Sequence, residues 1–338
     1  WSLHPDKGRG MYRDDTGKVR SEWYDKVCRN RHPSEIAQNL DMDFSGGDLP
    51  FFDLVAVSRM ENEASQPRCL GELEYSLESS QPISWREGGR RHLKLWCDLV
   101  TDGNGKQAPA ADRDYVFGID ISAGTGASNS AISIGDTMSL KKIGELADSR
   151  LAPEALAGCA VALARWFKGK NEAGAKMIWE AQGPGVQFGK RVIALGYRNV
   201  FFHEQESNLG RKSSDKPGWY STRDSKNTLL SEYRRALGTE FKNPSKEALS
   251  ECREYIYWAT GAIEHSRAMR SIDPQGTAMG TMGARLNHGD LVIADALDWK
   301  LLKEYHVKPE VKAKKAGENC FAGRRELHDE KRRAVSFW

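Results

Sequence analysis

Long apolar runs are missing from this 338-residue sequence. No stretch approaches the roughly 18 consecutive apolar residues of a membrane-spanning helix, so no such span and no membrane role is expected. Cysteine is sparse: the six residues, Cys28, Cys69, Cys97, Cys159, Cys252 and Cys320, lie far apart with no CxxC pair. That spacing argues against a structural zinc site or a disulfide scaffold and for free, reduced thiols. Charge of one sign is lacking too. Fifty Lys and Arg face 47 Asp and Glu, a net charge of +3, too little to indicate a nucleic-acid partner by itself. The opening WSLHPDKGRG has neither the basic-then-apolar order of a secretory leader nor an initiator Met, and the chain is expected to begin inside a longer protein. A true phosphate loop is also missing. The nearest candidate, GPGVQFGKR, sets Gly183 and Gly185 at the wrong distances from Gly189-Lys190 and follows the lysine with Arg191. No ATP site is therefore expected.

What remains is an ordinary globular composition, 39% hydrophobic and 29% charged, with no internal repeat and a length that suits about two domains. Residues 1–114 carry a net charge of −4, residues 115–306 of +3, and the tail 307–338 of +4. Within residues 1–50, SEWYDKVCRN and PSEIAQNLDM each read as a short helix. Residues 51–114 hold short β-like runs, DLVAVS, LGELEYSL and HLKLWCDL, and end in the turn-rich TDGNGKQAPAADRD, which reads as a linker. From Tyr115 the pattern sharpens. YVFGIDIS, SAISIGD and KKIGELAD predict an antiparallel meander of three strands. A helix follows over 153–167, then a buried strand AKMIWEA, a helix over 186–195, a strand NVFFHE, helices over 221–237 and 245–259, and a terminal helix over 289–305. Ser221 and Asp224 are expected to form a capping box at the first residues of the 221–237 helix.

Three carboxylates stand out. A carboxylate in a buried strand costs several kcal/mol unless something compensates it. Asp120 lies in FGIDIS and Glu180 follows MIW. Asp290 opens the last helix, where 100° per residue points it within about 40° of Ala294, Leu297 and Leu301, the packing face. Singly, each has a plain reading: a turn residue, a partner for Lys190 or Arg191, a helix cap. Together, directed at one sheet from distant positions, they fit a site for two divalent cations about 4 Å apart that clamp a phosphodiester. Asp295 is the second-ranked candidate for a further ligand, and Asp298 lies too deep.

The stretches YVFGIDISAGTG, MIWEAQGPG and NHGDLVIADAL resemble the nuclease domain of the large terminase subunit of tailed phages, a member of the ribonuclease H-like superfamily. GELEYSL, LKLWCDL and GWYSTRDSKNTLL add to the likeness, which covers about residues 60–305. The resemblance implies an α/β fold, a ribonuclease H-like mixed sheet flanked by helices and preceded by a small β-rich linker region (51–114). It implies a nuclease domain over 115–306, and a remnant of the terminase ATPase domain, missing or truncated, over 1–50. It also implies that Asp120, Glu180 and Asp290 are catalytic and hold two Mg²⁺ or Mn²⁺ ions. The activity implied is endonucleolytic cutting of concatemeric viral DNA during packaging, in the host cytoplasm at the procapsid portal, with the portal protein and the small terminase subunit as partners. Relatives often carry two adjacent acids where this sequence has Gly289-Asp290. A junction resolvase or transposase of the same fold, or a non-catalytic portal-docking module, is the alternative.

Candidate DNA contacts follow from charge. Arg223 and Lys226 fall in the first turn of a helix, where cations oppose the helix dipole and an external phosphate would compensate. Arg211 and Lys212, with Lys216, read as a basic loop that tracks a duplex backbone. The flexible basic tail ends in Val335, Phe337 and Trp338, a candidate docking peptide for the portal. His288 reads as a loop residue.

Overall fold

Period-two alternation along a single strand explains most of the architecture. In the computed structural model the described residues are 10–14, 19–30, 49–89, 93–170, 172–207, 210–258, 261–266 and 289–305. The chain divides after Tyr305 into two units, and every described residue lies in the first. The PSEIAQNLDM helix, His288 and the tail 307–338 fall outside them. Central to the fold is β9 (Tyr115–Asp120). Its odd residues, Tyr115, Phe117 and Ile119, enter one hydrophobic cluster, and Val116 enters another on the opposite face.

The meander continues through β10 (Ser130–Asp136) and β11 (Lys141–Asp148), both antiparallel, with Ala131 opposite Asp120. The chain then crosses over through α3 (Pro153–Trp166) to β12 (Lys176–Trp179), which runs parallel to β9. Three antiparallel strands, a crossover helix and a strand parallel to the first make this a mixed α/β sheet. Ahead of it, β4 (Cys69–Tyr75), β5 (Pro82–Glu87) and β6 (Leu93–Leu95) extend the same sheet beyond β11. The seven-stranded order is β12-β9-β10-β11-β6-β4-β5, so the β-rich region before residue 114 shares its sheet with the region after it.

One face of the sheet is covered by α3, whose Leu156, Ala160 and Leu163 meet Phe117, Ile119, Ile132 and Ile134, and by α4 (Pro184–Ala194). The other face carries α5 (Arg223–Ala236), α6 (Lys246–Cys252) and α7 (Asp290–Tyr305), with Val292, Ala296 and Leu297 against Val116 and Ile178. Smaller elements complete the unit. These are the hairpin β1 (Tyr12–Arg13) and β2 (Val19–Arg20), then α1 (Glu22–Asn30), β3 (Leu49–Pro50) and α2 (Leu54–Glu63). The hairpins β7 (Leu99–Thr101) with β8 (Gln107–Pro109) and β13 (Phe202–Ser207) with β14 (Gly210–Pro217) follow. Last come β15 (Tyr255–Tyr257) and β16 (Ile263–His265). No helix among the described residues is long and apolar enough to cross a membrane.

Several local expectations are corrected. DLVAVS is helical, not a strand: Asp53 caps α2 by accepting from the N–H groups of Val55 and Ala56 at 2.9 and 3.1 Å. The 101–114 stretch is no plain linker, because Asp102 accepts from Asn104 and Lys106 N–H and closes the β7–β8 hairpin. The 221–237 helix is capped by Thr222 with Ser225, not by Ser221 with Asp224. The 245–259 helix stops at Cys252, and Tyr255–Tyr257 pairs as a strand. The basic loop at Arg211 and Lys212 is strand β14, paired to β13.

α7 sits directly on the backbone of β9. A Cβ at Gly118 would lie 2.1 Å from the Ala294 carbonyl and 2.2 Å from Asp298 N. The Gly118→Ala protein is therefore expected to lose about 3 kcal/mol, the upper end of ordinary overpacking costs, since neither backbone can yield. Thermal and denaturant unfolding would measure it, and stability equal to the parent would contradict the packing described.

Candidate active site

Parity carries two carboxylates to one face. Asp120 continues the even series of β9, after Val116 and Gly118, and Glu180 continues the series of Ile178 just beyond β12. Both series face α7. The third acid, Asp290, is the first residue of α7 and is 5% exposed. The effect of this arrangement falls on Asp120. Burial first, then the charges of Asp290 and Glu180, hold its pKa well above the usual carboxylate range, against Lys226 and the N–H of Ile121. Asp120, Glu180, Asp290 and Lys226 thus lie within electrostatic reach of one another.

Asp290 and Glu180 are held by partners that sequence reasoning missed. Ser128 Oγ donates to both Asp290 oxygens, at 2.9 and 3.0 Å, and Asn129 N–H donates at 2.7 Å. The Gly-rich turn before β10 therefore grips the third carboxylate. Glu180 accepts from Ser221 Oγ, which also reaches Gln182 at 2.9 Å. Neither Lys190 nor Arg191 is the partner. Ser221 arrives there because the chain at 219 pairs with the end of β12: Trp219 N–H donates to the Trp179 carbonyl and Ala181 N–H to that of Trp219, both at 2.8 Å. Just after Glu180, Gly185 lies so near that a Cβ would meet the Glu180 carbonyl at 1.8 Å, so only glycine allows α4 to begin there.

The first turn of α7 is fixed from other elements. Glu251 of α6, itself buried, accepts from Leu291 and Val292 N–H at 2.9 and 3.3 Å, and Tyr255 OH donates to the Gly289 carbonyl at 2.9 Å. Of these, the serines and Asn129 had a signal, polar residues beside glycines next to the acids. Glu251 had none.

Lys226 donates to both oxygens of Glu264, at 3.1 and 3.3 Å, and Arg223 lies beside Gly261. Arg211 and Lys212 are placed only by backbone pairing opposite Glu206 and Gln205. Asp295, the further ligand candidate, is not brought to the triad. Its oxygens accept from Lys142 Nζ and Asn243 Nδ2, both at 2.6 Å, and from Tyr233 OH at 3.4 Å. Lys142 also pairs with Glu145 at 2.7 Å, and burial, outweighed by Lys142 and Lys94, leaves the Glu145 carboxyl held down to about 2. Asp295 lies five positions after Asp290, so the helix carries it away along the sheet.

The donor set of Asp120, Glu180 and Asp290 fits a hard divalent cation in chemistry: carboxylate oxygens, mutual repulsion and one nearby lysine already paired to Glu264. Their spacing is wider than a bound cluster. Among the described residues no three Asp, Glu, His or Cys groups stand close enough to hold one ion.

No protein-family profile matches the chain, and no curated protein matches it. Among solved structures it is similar to the large terminase nuclease from thermophilic phage G20c. The form with bound magnesium matches at TM-score 0.41 and 15% identity, over 66% of this chain and 94% of that one. The form with bound cobalt matches at 0.42 and 16%, over 68% and 98%. The large terminase nuclease domain of Thermus phage P74-26 matches at 0.41 and 15%, over 66% and 91%.

A raised pKa at Asp120 means that the folded chain takes up its proton more readily than the unfolded chain. This contribution favours folding below the ordinary carboxylate value near 4 and is lost as pH rises through the raised value. In chelator, Asp120→Asn is expected to raise the Tm at pH 7 and to flatten its rise on acidification toward pH 5. An unchanged pH profile in that variant would remove the case for a strained carboxylate cluster.

Proposed function

We propose that this chain is a divalent-metal-dependent DNA endonuclease that cuts concatemeric viral DNA during genome packaging. The observation that carries the reading is the convergence of Asp120, Glu180 and Asp290 on one sheet face, where Asp120 bears the repulsion of the other two. Such a cluster raises the energy of the free protein and invites a cation.

On this reading Asp120, Glu180 and Asp290 would hold two Mg²⁺ or Mn²⁺ ions. When bound, such ions lower the pKa of water and neutralise the leaving oxygen. The residues do the rest. Ser128 and Asn129 fix the Asp290 oxygens, and Ser221 orients Glu180. Lys226 exchanges Glu264 for a DNA phosphate and steadies the strand beside Asp120. Arg223, with Arg211 and Lys212 on the β13–β14 hairpin, adds phosphate contacts that carry no sequence information. No side-chain nucleophile is required, and no ATP hydrolysis is assigned to the chain. The partners on this reading are double-stranded DNA, the portal protein and the small terminase subunit, and the place of action is the host cytoplasm at the procapsid portal.

Supercoiled plasmid incubated with Mn²⁺ or with EDTA tests the activity. Asp120→Ala, Glu180→Ala and Asp290→Ala should each slow cleavage roughly a thousandfold, the equivalent of about 4 kcal/mol in the transition state. All three should fold. Cleavage by Asp120→Ala at the parent rate under saturating Mn²⁺ would falsify the assignment.

A second outcome concerns Lys226. Lys226→Ala should weaken duplex binding to a similar degree across unrelated sequences and lower its salt slope by about 1. Filter binding at several salt concentrations measures both quantities. A loss confined to one sequence would mean that Lys226 reads a base.

A further inference from the structure

At the end of the strands away from the triad, a cleft of about 500 Å³ opens between α2, the start of β11 and the chain around Lys242. It is lined by Arg59, Arg68, Lys141, Lys242 and Trp96, with Glu63 as its lining carboxylate. Arg68 is paired with Asp98. Lys141 and Lys242 are exposed and lie side by side on neighbouring segments of the chain. They are bridge partners in parallel register, with Lys142 N–H donating to the Lys242 carbonyl at 3.1 Å. Like charges placed directly across a ladder repel, and neither lysine is ion-paired among the described residues. The turn that delivers Lys141 holds Leu140 at φ +53°, in the left-handed region, which costs a non-glycine residue energy. Lys142, behind them, is committed to Glu145 and Asp295 and leaves the two outer lysines without an ion pair among the described residues.

The indole of Trp96 is fixed by its own hydrogen bond, Nε1 donating to the Ser65 carbonyl at 2.9 Å. The cleft thus joins two unpaired ammonium groups to a held aromatic ring, in a volume that suits a small-molecule site. Lys141 follows Asp136 across the β10–β11 turn, and Asp136 is opposite Tyr115 at the start of β9. At about 3.3 Å per residue along β9, the cleft is therefore displaced roughly 17 Å along the strand direction from Asp120.

We propose that this cleft is a second phosphate site that takes a nucleotide unit, with phosphate on Lys141 and Lys242 and the base against Trp96. The unit has two sources, a free nucleotide or a residue of a nucleic-acid strand. The proposal does not depend on the nuclease reading, because binding here needs neither metal nor cleavage.

Calorimetry in EDTA with pyrophosphate, AMP, ATP and a 12-nucleotide single strand tests it on the whole chain. Lys141→Gln/Lys242→Gln, both exposed changes, should weaken every probe that binds by about tenfold and lower the salt slope for the strand by about 2. Trp96→Ala should weaken AMP and ATP but leave pyrophosphate unchanged. Saturable binding of AMP and ATP identifies the free nucleotide as the source. Binding of the 12-mer alone, lost in the lysine pair variant, identifies the strand. Thermal melting checks that each variant is folded. Parent affinities in the lysine pair variant, or no binding by any probe, overturn the site. Equal AMP and pyrophosphate affinities, insensitive to Trp96→Ala, overturn the nucleotide assignment.

Discussion

The contact between α7 and the bare backbone of β9 governs this structure. Gly118 lets the helix approach until the Ala294 carbonyl occupies the space of a side chain, and Gly135 does the same on β10, where a Cβ would lie 2.6 Å from Asp298 Oδ2. A helix normally rests on the side chains of a sheet. Here it rests on the chain itself, and that depth carries Asp290 to the level of Asp120 and Glu180. The opposite face has no such demand: α3 packs on Phe117, Ile119 and Ile132 by side-chain burial alone.

That deep seat gives one helix three buried acids in three electrostatic states. Asp290 opens into the triad and is gripped by Ser128 and Asn129. Asp295 is compensated by Lys142 and Asn243. Asp298 is fully buried with a weak contact to Ser133 at 3.4 Å, and its Oδ1 has no hydrogen-bond partner. Burial first, then the charge of Asp295, holds its pKa well above the carboxylate range. The same residue type on successive turns therefore meets three surroundings: a cluster of like charges, a lysine partner and a nearly unpartnered interior. Distance from solvent and the nearest cation decide which.

The triad's second support is a relay of backbone pairing. The end of β12 pairs with Trp219, which brings Ser221 to Glu180 and starts α5 beside it. Arg223 and Lys226 follow within the first turn of α5. Glu251 and Tyr255 fix the first turn of α7 from the other side. Acids and cations thus reach one place from five separated stretches of chain, each anchored by hydrogen bonds that fix the backbone.

The sequence by itself determined the central strands, the main helices and the inward direction of the three acids. Alternation from Tyr115 to Asp120 and the run AKMIWEA fix which face each carboxylate takes, because strand parity is local. Helical spacing likewise turned Asp290 inward. Tertiary structure decided what local pattern cannot hold. DLVAVS became a helix because Asp53 caps it, and a short apolar run alone does not separate helix from strand. Asp295, near the triad in angular terms, was claimed by Lys142 from a strand 153 residues away in the chain. Ser221 and Glu251 gained their places only when distant backbones paired. Periodicity gives direction about an axis, whereas a partner is set by which elements pack together, and that is a property of the whole fold.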